Sequence, residues 1–162
     1  MRSPTGIICL TPSLRPWQGH IEAAQTIGDI YYCGKGVAKD YARAMAAYKV
    51  GAEGGHAQCQ SQVGMMYKLG RGVAVDYQQA RLWLEKAAAQ DYPNAVGQLG
   101  TMYNNGEGVT PSWRRARELY ERAIELGDSM RVGDLQELNE DDIPQVGPPV
   151  PRSSSHSSSK ID

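Results

Sequence analysis

Leu99–Val109 reads LGTMYNNGEGV, and the phrase stands twice more upstream, as VGMMYKLGRGV over 63–73 and IGDIYYCGKGV over 27–37. The copies are 36 residues apart, and three units of that length, 19–54, 55–90 and 91–126, align without a gap. Six positions are identical in all three: Gly28, Gly64 and Gly100; Tyr31, Tyr67 and Tyr103; Gly34, Gly70 and Gly106; Gly36, Gly72 and Gly108; Val37, Val73 and Val109; Ala44, Ala80 and Ala116. A fixed period in this range predicts stacked helical hairpins.

Each invariant residue has a physical reading. Gly28 and its equivalents fall inside helical patterns, where glycine costs about 1 kcal/mol relative to alanine. Three such penalties imply close approach of a neighbouring helix, and successive hairpins are expected to touch there. Gly34 follows Tyr31 at the distance where a helix ends in a left-handed residue. The second helix then starts at Asp40, Asp76 or Ser112, each a good N-cap. Apolar or small residues recur behind it at helical spacing: Ala44, Tyr48 and Ala52; Ala80, Leu84 and Ala88; Ala116, Tyr120 and Ile124.

The run L-G-x-x-Y-x-x-G-x-G-V, followed by A-x-x-x-[YL], resembles the Sel-1-like repeat, a relative of the tetratricopeptide repeat with a longer loop between its helices. The resemblance covers 19–126 and part of a fourth unit. It implies an all-α fold, a right-handed α/α superhelix of helix-turn-helix repeats. It also implies a non-catalytic adaptor that holds a peptide or protein segment on the concave face, lined by the first helix of each unit. One bacterial branch of the family carries a cysteine pair in every repeat and has been linked to β-lactam binding or hydrolysis. Here Cys9, Cys33 and Cys59 share no repeat position, so that alternative is disfavoured.

Composition narrows the partners. A net charge of −1 with acids and bases mixed gives no basic stripe for nucleic acid. No apolar run approaches the length of a membrane span. The unpaired cysteine pattern leans toward a reducing, cytoplasmic compartment.

Residues 1–18 do not fit the repeat and read as an irregular N-terminal segment; their apolar stretch is too short for a secretory signal. The repeat region runs over 19–139, with a degenerate capping helix at 127–139. There Val132 and Leu135 keep apolar positions, while Gln136 and Asn139 replace the glycine and tyrosine. Residues 140–162, rich in proline and serine, read as a disordered tail. Three and a half units are near the minimum for a stable stack, and the first has no N-terminal cap. A longer array or end-to-end self-association is therefore expected.

The first helices suggest where a partner sits. Spacing of 3, 4, 3 places Glu22, Gln25, Asp29 and Tyr32 on one face; Gln58, Ser61, Met65 and Lys68 follow in the second unit, then Asn94, Gly97, Thr101 and Asn104. These positions change between copies, while the complementary stripe (Ala23, Ile27, Ile30 and Tyr31, and their equivalents) keeps its character. A face free to vary beside one fixed by packing is what a binding groove on a repeat scaffold requires. The competing reading is a merely solvated surface.

Chemistry finds little foothold. His20 and His56 stand one repeat apart, each after a glycine, and read as junction residues rather than metal ligands. No G-x-S-x-G, H-E-x-x-H or Walker phrase is present. The G-x-G pairs follow helices, not strands, so helix termination explains them better than phosphate binding. No catalytic residue, metal or cofactor is expected.

Overall fold

The computed structural model describes residues 15–141, with side-chain surroundings from His20 to Leu138. The apolar stretch near the start and the proline- and serine-rich tail lie outside the described residues. Seven helices follow in order: α1 (Arg15–Cys33), α2 (Tyr41–Glu53), α3 (Ala57–Leu69), α4 (Tyr77–Ala88), α5 (Pro93–Asn105), α6 (Trp113–Glu125) and α7 (Arg131–Asp141). Helix α1 begins at Arg15, so residues 15–18 are helical where the sequence suggested an irregular segment.

The punctuation is the one the repeat phrase predicts. Asp40 accepts from the Arg43 N–H, Asp76 from those of Gln78 and Gln79, and Ser112 from that of Arg115, so all three second helices are capped. Gly70 and Gly106 close α3 and α5 in the left-handed conformation, each donating its N–H back into the last turn. The loop between the two helices then folds back the same way three times. The N–H of Asp40, Asp76 or Ser112 donates to the carbonyl of Tyr31, Tyr67 or Tyr103, at 2.9 to 3.0 Å.

Each helix packs on the next in chain order, α1 on α2 through α6 on α7. The result is a zigzag with first helices α1, α3, α5 and α7 in one layer and second helices α2, α4 and α6 in the other. The buried helical glycines do not mark the joints between hairpins, as the sequence suggested; they lie inside each hairpin. A Cβ on Gly64 would fall 2.8 Å from Leu84 Cγ and 3.0 Å from the Ala80 carbonyl, and one on Gly100 would fall 2.7 Å from the Tyr120 ring. The missing methyl makes room for the large side chain of the hairpin's own second helix.

Successive hairpins meet elsewhere. At Gly72 an added Cβ would stand 2.5 Å from the Tyr41 carbonyl oxygen, and at Gly108 the same distance from Tyr77 Cβ. The second glycine of G-x-G thus lets each loop lie against the start of the preceding second helix. Gly51 serves the same end between α2 and α3, leaving space that the Cys59 sulfur occupies. Around these contacts runs a core from Tyr48, Val63 and Met66 through Leu84, Leu99 and Met102 to Tyr120. Helix α7 adds Leu138 to it, buried against Ala116 and Tyr120, while Val132 stays 40% exposed.

Candidate functional site

The residues expected to vary freely on the first-helix face divide into three groups. At the first position, variation follows the packing partner. Tyr48 donates its hydroxyl to Asp29 Oδ1 at 2.6 Å, and Tyr120 donates to Thr101 Oγ1 at 3.3 Å. In the middle unit the second helix carries Leu84 at that register, and the first helix carries Met65. A polar residue stands where a buried phenol needs a partner, and an apolar one where none is needed. Burial and then the Asp29 hydrogen bond push the Tyr48 phenol well above its ordinary range.

At the second position the side chain latches onto the following loop. Arg71, between the glycines of the second G-x-G, donates to the Tyr32 hydroxyl and lies over the rings of Tyr32 and Tyr41, at 5.3 and 5.5 Å. One repeat later, Glu107 occupies the Arg71 position and pairs with Lys68 at 2.9 Å, the two side chains only 21% and 10% exposed. The offset is 39 residues in both latches, and the chemistry changes from cation–π to ion pair. The third member, Asn104, is exposed.

The third group joins one first helix to the next. Ser61, buried, donates to Asn94 Oδ1 at 3.3 Å and ties α3 to α5. The space beside Gly97 is taken by the Arg131 side chain of α7, whose guanidinium also reaches Thr101 Oγ1 at 3.5 Å. Burial works against the Arg131 charge, but hydrogen bonds to Asp134 and Asp128 outweigh it and raise its pKa.

What remains uncommitted is a smaller set. The side chains of Glu22, Gln25, Gln58, Met65 and Asn104 make no hydrogen bond or ion pair among the described residues. Gln25, Gln58 and Met65 are half-buried; Glu22 and Asn104 are exposed. Sequence reasoning missed Arg71, Glu107 and Arg131. For the first two a signal existed: residues between the paired glycines carry charge or donor character complementary to a residue 39 positions earlier. His56 is structural, its ring Nδ1 accepting from the Cys59 N–H at 3.4 Å to cap α3. No group of three or more metal-ligating side chains occurs among the described residues. No described helix is long and apolar enough to cross a membrane.

Two-helix units stacked in register, joined by loop-to-helix contacts and followed by the single helix α7, define a helical solenoid repeat protein. The Sel1 repeat model matches residues 21–56, 57–92 and 93–128, and the chain belongs to that family. The matched frame keeps the 36-residue period and starts two residues after the units read from the sequence. Sel1 repeats in general mediate protein interactions.

Among solved structures, a Sel1 repeat protein from Oxalobacter formigenes is similar at 34% identity and a TM-score of 0.68, over 71% of this chain and 47% of that one. A protective antigen of uropathogenic Escherichia coli, c5321, is similar at 35% identity and 0.70, over 77% of this chain and 27% of the antigen. This chain therefore spans less than half the length of either relative. Cysteine-rich protein B of Helicobacter pylori shares the fold at 20% identity, with a TM-score of 0.58 over 80% of this chain and all of that one. A search of curated proteins gives no match.

Proposed function

We propose that this chain is a non-catalytic scaffold that binds an extended peptide or protein segment along the face of its first helices, the concave side of the stack. The observation that carries this reading is the Ser61–Asn94 hydrogen bond, which makes the faces of α3 and α5 contiguous. Across that continuous surface the latch residues hold the scaffold, while Gln25, Gln58, Met65 and Asn104 offer amide and thioether groups with no internal partner. Unpartnered amides suit a peptide backbone, whose N–H and C=O groups need partners when water is displaced. A β-lactam hydrolase would draw on a cysteine pair in each repeat. The described cysteines are single and unmatched, Cys33 exposed and Cys59 buried.

The test is to select binders from a random peptide library on the folded chain and measure them against two variants. Combined Gln25→Ala, Gln58→Ala and Met65→Lys is expected to weaken the selected peptides at least about tenfold, roughly 1.4 kcal/mol. Combined Val50→Lys and Leu82→Lys, exposed on second helices, is expected to leave them unchanged. The reverse pattern, or no loss in either variant, contradicts the proposal.

A further inference from the structure

The second-helix layer holds a cleft of 250 Å³ between α4 and α6, floored by α5. Leu99, Tyr103 and Leu119 line its apolar bottom, and Glu85, Arg115 and Arg122 stand around its mouth. The repeat supplies an internal reference, because every one of these residues has an equivalent 36 positions earlier, between α2 and α4. There the equivalent places carry larger or cationic side chains. Trp83, at the position of Leu119, packs against the core of α2 and α3, with Lys86 over its indole at 4.0 Å. Lys49, at the position of Glu85, covers the Tyr67 ring at 5.5 Å.

At the α4/α6 joint neither is present. Leucine replaces tryptophan, and Glu85 cannot cover Tyr103 as a cation covers Tyr67. The α6 side gains one cation, Arg115 where Gln79 stood, and keeps another, Arg122 where Lys86 stood, while Glu85 in place of Lys49 puts an acid on the α4 side. Both arginines hold exposed ion pairs, and Arg122 also donates to the Ala88 carbonyl at 3.4 Å. Arg115 pairs with Glu118 at 2.9 Å and Arg122 with Asp91 at 2.5 Å, all four side chains about half exposed or more. Exposed pairs of this kind contribute at most about 1 kcal/mol and exchange readily for another carboxylate.

We infer that this cleft is a binding site for an aromatic side chain with an adjacent carboxylate, presented by a partner protein. The chain itself shows at the preceding joint which side chain the space accepts, and the two arginines set the charge beside it. The site is separate from the first-helix face and does not depend on it.

The test uses the full chain, labelled for amide NMR and titrated with N-acetyltryptophan and, in parallel, N-acetyltryptophanamide. Saturable shifts are expected at amides of 85–89, 99–103 and 115–122, with the free acid bound about threefold to fivefold more tightly than the amide. Leu119→Trp should abolish the shifts and keep the fold, as Trp83 does one repeat earlier. Arg122→Gln and Arg115→Gln, each confirmed as folded by its amide spectrum, should each reduce the preference for the acid, and together remove it. Absence of saturable shifts at these amides, shifts that persist in a folded Leu119→Trp variant, or equal affinity for acid and amide would each overturn the assignment. The first-helix variants described above should leave these titrations unaltered, so failure of either reading is visible by itself.

Discussion

Gly36, Gly72 and Gly108 share a repeat position and a positive φ of 68 to 74°, yet their surroundings differ. The second and third lie against the start of the preceding second helix; around Gly36 an added Cβ would meet nothing within 4 Å. The difference extends across the first hairpin. Ile27 is 46% exposed where Val63 is 0% and Leu99 5%. Val37 is 43% exposed, while Val73 packs on the core beside α2 and α3. The loop conformation therefore belongs to the local sequence, since it forms with or without a neighbour. The joint is a tertiary property that the same residues acquire only when another second helix is present.

The largest expected effect separates the two glycine environments. Gly72→Ala combines left-handed strain with a collision against the Tyr41 backbone and should cost about 3 kcal/mol or more. Gly36→Ala carries the strain alone, about 1–2 kcal/mol. Urea unfolding of the two variants side by side measures the gap, and equal losses would show that Gly72 is not a joint.

The core side chains give the next contrast. Leu99→Ala should lose about 2–3 kcal/mol through lost burial and the cavity left behind, and Ile27→Ala less than about 1 kcal/mol. Thermal unfolding checks both. Comparable losses would mean that α1 is covered as fully as α5.

Cysteine chemistry offers the smallest but most specific signal. Burial pushes the Cys59 thiol up to about 11 from an ordinary value near 9. Iodoacetamide at pH 8 should therefore modify exposed Cys33 and spare Cys59, as mapped by peptide mass spectrometry. The folded state holds the Cys59 proton more tightly than the unfolded chain does. Its contribution thus favours folding less as pH rises from about 9 to about 11, and Cys59→Ala should flatten that part of the stability profile.

Much of this architecture was legible in the sequence. Caps at Asp40, Asp76 and Ser112, the left-handed glycines and the period of 36 are local signals, and local signals repeat. The buried glycines were read correctly as sites of close approach but assigned to the wrong neighbour. Periodicity shows that something comes near Gly64 and not whether Leu84 belongs to the same hairpin. The first-helix face was half legible. Its variable residues mix positions without an internal hydrogen-bond partner, such as Gln25 and Gln58, with latches such as Lys68, because complementary partners 39 residues apart vary together. The cleft beside Leu119 was not legible, since a missing bulky side chain becomes visible only when the two joints are set side by side.

Native-state amide hydrogen exchange tests most directly the central claim, that each hairpin is held by the one stacked before it. Amides of α3, α4 and α5, covered on both sides, should exchange through a shared slow opening, and those of α1 at least about tenfold faster. Protection in α1 equal to that in α3 and α5 would contradict this account of the joints.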